Sequence, residues 1–175
     1  MELRPLHFDQ EFQPGVLDLG PDLVQRTAAH AKGQADLVEE LEGQKRVADI
    51  RLRGNLTASV ETPCARCVEP VQYDVRTDFD LLYRPVNADA HPDEASISEA
   101  ETEIGFYQGD GIRLEDVLQE QVLLSVPAKL LCREDCKGLC PQCGKNLNQG
   151  SCHCEAKISD PRWAALESIK GKLKK

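Results

Sequence analysis

The sequence lacks the marks of a membrane-spanning or exported chain. No stretch approaches the roughly 20 consecutive apolar residues that a bilayer span requires, so a membrane protein is not expected. The N-terminus, Met1-Glu2-Leu3-Arg4-Pro5-Leu6-His7-Phe8-Asp9, has neither a basic n-region nor an apolar h-region. A secretory signal is therefore not expected, and the expected location is the cytoplasm. Excess positive charge is missing too, since the formal net charge is -9. That argues against a bulk nucleic-acid binder, whose affinity comes mostly from neutralising phosphates. There is no His-Glu-x-x-His and no deaminase signature, so nothing points to a catalytic zinc with an open coordination position. His7, His30 and His91 stand isolated and are assigned no role.

What is present is a globular composition, 41% hydrophobic and 29% charged over 175 residues. That suffices for one ordinary domain with a closed core and a small appendage. Charge is unevenly spread. Residues 86–120 hold ten acids against one base, Arg113, whereas residues 121–175 hold ten bases against five acids. The basic end could form a local basic face, although solvated surface charge explains it equally well.

Alternation of period two dominates the middle of the chain. Ala48, Ile50, Leu52, Gly54, Leu56, Ala58 and Val60 share one side, and Asp49, Arg51, Arg53, Asn55, Thr57, Ser59 and Glu61 the other. This predicts a strand with one buried face. Val71, Tyr73, Val75, Thr77, Phe79, Leu81 and Tyr83 repeat the pattern. Between them, Thr62-Pro63-Cys64-Ala65-Arg66-Cys67-Val68-Glu69-Pro70 is bracketed by prolines that cannot donate to a ladder. The expected arrangement is a long antiparallel hairpin with this segment as its turn. Arg51, Arg53, Arg66 and Arg76 interleave with Asp49, Asp74, Asp78 and Asp80, which reads as cross-strand ion pairing. Weaker strands are expected over residues 35–41, 3–8 and 103–107.

Residues 84–102, with Pro85, Pro92 and few apolar side chains, read as an acidic loop. Leu114, Val117, Leu118 and Val122 fall on one helical face that ends before Pro127. A basic helix is expected within residues 156–175, opened by Asp160 as N-cap and by Pro161. Trp163, Leu166, Ile169 or Lys170, and Leu173 form its stripe, with Trp163 as a core anchor, and Lys170, Lys172, Lys174 and Lys175 lie near its C-terminal dipole. The expected class is α+β. A β-rich antiparallel domain with a long hairpin and one or two short helices would occupy residues 1–131, a Cys-rich zinc-binding module 132–155, and the basic helix 156–175.

The chemistry lies in eight cysteines: Cys64, Cys67, Cys132, Cys136, Cys140, Cys143, Cys152 and Cys154. Without a secretory signal they point to metal rather than to disulfides. Structural zinc sites are closed tetrahedra of four Cys or His ligands, so eight sulfurs suit two Zn2+ ions. Cys140-Pro141-Gln142-Cys143-Gly144 has the form of a zinc knuckle. Pro141 sets φ for the turn, and Gly144 lets backbone amides approach the sulfurs. Cys140, Cys143, Cys152 and Cys154 could close a local site over a short turn-forming loop at little entropic cost. Cys64 and Cys67 would then meet Cys132 and Cys136, stapling the hairpin to the C-terminal segment. The alternative joins Cys64 and Cys67 to Cys140 and Cys143 as a zinc ribbon. The first partition is preferred; sequence alone leaves both open. His153 could substitute for a neighbouring cysteine, but an exposed bystander is the preferred reading. A redox dithiol favours a helix N-terminus in a βαβ context, which a turn between antiparallel strands does not provide.

These residues resemble a known family. The segment 62–70, the helix ending in Ser125-Val126-Pro127, the run from Leu131 to Asn148 and the closing Asp160-Pro161-Arg162-Trp163-Ala164-Ala165-Leu166 carry the likeness. They are similar to the bacterial and plastid YceD family of large ribosomal RNA subunit accumulation proteins, over about residues 40–173. The resemblance implies a non-enzymatic factor supporting accumulation of large-subunit ribosomal RNA in ribosome assembly. Its partner would be ribosomal RNA, a large-subunit ribosomal protein or the pre-50S particle, with no membrane and no small-molecule substrate. Some members lack counterparts of Cys140, Cys143, Cys152 and Cys154. This implies that the local site is an elaboration, and it supports grouping Cys64 and Cys67 with Cys132 and Cys136. Two other functions fit the residues: an interaction adaptor whose acidic segment 86–120 binds a basic partner, and a thiol redox protein.

Overall fold

The computed structural model describes residues 4–42, 45–86 and 104–154. Its elements are β1 (Leu6–Phe12), β2 (Val24–Gln25), β3 (Ala29–Glu42), β4 (Lys45–Pro63), β5 (Pro70–Pro85), β6 (Ile104–Tyr107) and α1 (Leu114–Ser125). The strands form one sheet in the order β1-β3-β4-β5-β6, and β2 pairs with β4 beyond the point where β3 begins. β4 is antiparallel to β5 from Ile50↔Tyr83 to Pro63↔Pro70, so residues 64–69 lie at one end of the two strands.

Alternation decides which face closes. Leu52, Leu56, Ala58 and Val60 of β4 and Val75 and Phe79 of β5 are buried. Ala29 and Ala31 of β3 and Phe8 and Phe12 of β1 continue the same core. α1 covers it with Val117, Leu118 and Val122. The helix stops because a residue preceding proline is pushed out of the helical region; Val126, before Pro127, is extended. A row Phe8↔Gly33↔Gly54↔Phe79 crosses the core face. A Cβ on Gly33 would lie 2.7 Å from Phe8 Cζ, and one on Gly54 2.9 Å from Phe79 Cζ. The two glycines thus leave room for rings reaching over from neighbouring strands.

The structure corrects the sequence-based picture in several places. The sheet is mixed rather than antiparallel throughout, because β6 runs parallel to β5 from Leu82↔Ile104 to Pro85↔Tyr107. A parallel neighbour needs a crossover of a dozen or more residues, and residues 86–103 are long enough to supply it. β3 begins at Ala29, well before residue 35, and β2 is too short to show a period. Asp49 leaves the expected solvent-facing set. Its side chain is 0% exposed and that of Arg84, across from it on β5, is 9% exposed. Arg84 donates from Nη2 to Asp49 Oδ2 at 2.9 Å and from Nε to Oδ1 at 3.1 Å. Other pairs stay on the surface: Arg51 with Asp80 at 2.7 Å and Arg53 with Asp36 at 2.8 Å. Most of the expected acidic loop, and the expected helix 156–175 with Trp163, lie outside the described residues. Among the described residues, no helix is long and apolar enough to cross a membrane.

Candidate metal centres

Between β4 and β5 the chain makes a tight turn through Cys64 and Cys67. Cys64 N donates to Glu69 O at 2.8 Å, and Val68 N donates to Cys64 O at 3.0 Å. These bonds bring the two thiols to the same side. After α1 the chain returns to this turn, where Ala65 N donates to Leu130 O at 2.9 Å. Cys132 and Cys136 arrive with it. The four sulfurs of Cys64, Cys67, Cys132 and Cys136 lie within 4.8 Å of one another. Cys64 and Cys136 Sγ are 3.9 Å apart, and Cys67 and Cys132 Sγ 3.5 Å. Cys64, Cys67 and Cys136 are buried, with Val71 and Leu131 packed around them, and Cys132 is exposed.

The second group, Cys140, Cys143, Cys152 and Cys154, also has its sulfurs within 4.8 Å of one another. It repeats the same turn. Gly144 N donates to Cys140 O at 2.9 Å. Gly144 has φ +71° and its counterpart Val68 has φ +64°. A glycine takes this left-handed conformation freely, whereas a β-branched residue is strained there. Val68 is also 62% exposed, so its side chain contributes little burial to offset the strain. Val68→Gly is accordingly expected to stabilise the chain by about 0.5–1 kcal/mol, after allowing for the extra freedom of glycine when unfolded. An increased urea midpoint with unchanged slope would show it.

Amides and side chains converge on the sulfurs. Cys64 Sγ accepts from Cys132 N at 3.3 Å and Arg66 N at 3.5 Å, and Cys136 Sγ accepts from Asn148 Nδ2 at 3.2 Å. Burial resists ionisation of Cys64, yet the amides of Arg66, Cys132 and Cys67 bring its thiol down to about 6. Burial and the neighbouring thiols push Cys132 up to about 12. In the second group the amides of Cys143 and Gln142 bring Cys140 down to about 6, while Cys143 and burial push Cys154 up to about 12. Gathered sulfurs of this kind resist carrying four negative charges unaided. A central cation would remove that resistance. Four sulfur donors, hydrogen-bonded from outside, therefore fit a bound metal ion in each group.

The grouping is the partition preferred from sequence, not the zinc-ribbon alternative. His153 is exposed and belongs to neither group. Sequence reasoning missed three residues: Arg66, which braces the first group, and Glu69 and Asn148, which tie the two groups together. Arg66 donates to Cys136 O at 2.8 Å, Glu69 accepts from Asn146 Nδ2 at 3.1 Å, and Asn148 reaches Cys136. An arginine, a glutamate and a loop asparagine carry no spacing signal that could have singled them out.

Residues 52–170 match the family model described as Large ribosomal RNA subunit accumulation protein YceD. An uncharacterised protein of Mycobacterium tuberculosis is 36% identical over 123 residues, covering 70% of this chain and 56% of its own. The uncharacterised protein YlbN of Bacillus subtilis is 26% identical over 172 residues, covering 97% of this chain and 90% of its own. A maize protein named large ribosomal RNA subunit accumulation protein YCED homolog 1, chloroplastic, is 23% identical over 167 residues, with coverages of 82% and 56%. The chain thus spans little more than half the length of the mycobacterial and maize relatives. No solved structure matches it.

Proposed function

The chain belongs to the YceD family of large ribosomal RNA subunit accumulation proteins, and from that premise we propose that it is a non-catalytic, zinc-organised factor supporting large-subunit ribosomal RNA accumulation during ribosome assembly in the cytoplasm. The observation carrying this reading is the family match itself, which takes in both cysteine groups. Zinc is favoured by the donor set. Four thiolates at about 2.3 Å from one ion would be about 3.8 Å apart, close to the Cys67–Cys132 and Cys64–Cys136 sulfur separations of 3.5 and 3.9 Å. All-cysteine ligation leaves no open position for a substrate, which favours a structural over a catalytic metal. The ions would hold the 132–154 segment against the turn between β4 and β5, presenting both as one body to ribosomal RNA or a large-subunit ribosomal protein.

Deletion of the gene is expected to reduce mature large-subunit ribosomal RNA and leave precursor forms behind, with the protein sedimenting beside pre-50S particles. Unchanged ribosomal RNA and no co-sedimentation would overturn the assignment. A second reading is an adaptor for a basic partner. It is favoured by Glu115 and Asp116 in the first turn of α1, by the absence of any basic residue in its last turn, and by Leu124, which is exposed. Neutralising the acids of residues 86–120 would abolish capture of a basic ribosomal protein in that case while leaving metal content intact.

A further inference from the structure

Asn148 belongs to the loop of the second cysteine group, between Cys143 and Cys152, yet its side chain serves the first. Its Nδ2 donates to Cys136 Sγ at 3.2 Å and its Oδ1 accepts from Lys137 N at 2.8 Å. The loop that carries it is fixed in turn. Asn148 N donates to Asn146 Oδ1 at 3.0 Å, Leu147 N to Gly138 O at 2.9 Å, and Leu139 pairs with Asn146 in an isolated bridge. Cys140 N donates to Lys145 O at 2.8 Å at the loop's base. The carboxamide therefore stands where it does because the 138–148 turn, which carries Cys140 and Cys143 of the second group, is folded. What it positions is a sulfur of the other group. N–H bonds to a thiolate orient it and moderate its charge, and such outer partners matter for metal affinity.

We propose that Asn148 is a positioning residue for the Cys64, Cys67, Cys132 and Cys136 group, so that closure of the second group over its metal tightens metal binding by the first. The two sites are then coupled rather than independent, and by linkage the coupling is mutual. This rests on the reading of both groups as zinc sites. Loss of an outer ligand partner typically weakens a site about 10- to 100-fold.

The test uses the full chain loaded with Zn2+ and titrated with a chelator. Bound ions are counted by native mass spectrometry, and newly alkylated cysteines are mapped by peptide. Asn148→Asp keeps the acceptor for Lys137 N but replaces the donor to sulfur with a carboxylate oxygen. The expected result is that Cys64, Cys67, Cys132 and Cys136 surrender their ion at about 10- to 100-fold lower chelator strength, and that a filled first group no longer strengthens Cys140, Cys143, Cys152 and Cys154. Cys143→Ser combined with Cys154→Ser is expected to retain one ion, held by the first group with the same weakening. If either variant leaves the first group at parental affinity, or if Cys64→Ser leaves the second group at parental affinity, the coupling is overturned and the two-zinc reading stands. A parent chain that binds no Zn2+ overturns both.

Discussion

Replacing Cys64 with serine is expected to remove one of two bound ions and to release the 132–154 segment from the turn between β4 and β5. A serine hydroxyl neither ionises at neutral pH nor binds a soft metal well. At Cys64 the loss is compounded, because its sulfur is buried and organises the amides of Cys132 and Arg66. Structural zinc contributes about 10–16 kcal/mol of apparent binding free energy at neutral pH. Without the ion, closure of the long loop from Cys67 to Cys132 rests on a few hydrogen bonds such as Ala65 N to Leu130 O. Hydrogen exchange over residues 132–154 should therefore accelerate by orders of magnitude, while β4 and the core strands stay protected. The second group should keep its ion, held more weakly. A full complement of two ions in the variant would refute Cys64 as a ligand.

The second large effect lies away from the cysteines. Asp49→Ala should destabilise the fold by about 3–5 kcal/mol, since removing one member of a buried pair takes from the other charge the carboxylate that compensates its desolvation. Arg84 loses the carboxylate that accepts from both its Nε and Nη2. Desolvation of both charges largely cancels their attraction. Asp49→Leu combined with Arg84→Met is therefore expected to be neutral or stabilising by about 1–4 kcal/mol. Arg51→Ala is the contrasting case, because its pair with Asp80 is half exposed and solvent screens such a pair, so its loss should cost far less. Urea unfolding of the three variants measures all of this. A cost at Asp49 no larger than that at Arg51 would mean that the pair is solvated.

What could be read from the residues themselves was whatever the local chain geometry imposes. A strand exposes alternate residues to alternate sides, so the runs at 48–60 and 71–83 announce β4 and β5 and their core residues. A helix repeats every 3.6 residues, so Leu114, Val117, Leu118 and Val122 announce α1, and Pro127 its end. A Cys-x-x-Cys turn presents two sulfurs within one loop, so Cys140 and Cys143 stand out as a candidate ligand pair wherever the rest of the chain goes. The family, too, was legible, because its most specific run is contiguous in sequence.

The tertiary structure decided everything that depends on distant partners. Alternation is blind to the direction of a neighbouring strand, so the parallel pairing of β6 with β5 emerged only in the sheet. It is equally blind to what covers a polar position, so Asp49 looked solvated until Arg84 was found across from it. The partition of eight cysteines into two groups, and the reach of Asn148 from one to the other, follow from α1 and the core returning residue 130 to the turn at residue 65. Short-range periodicity is written by backbone geometry, residue by residue; which remote segments meet is set by how a single core closes, and no stretch of the chain holds that information alone.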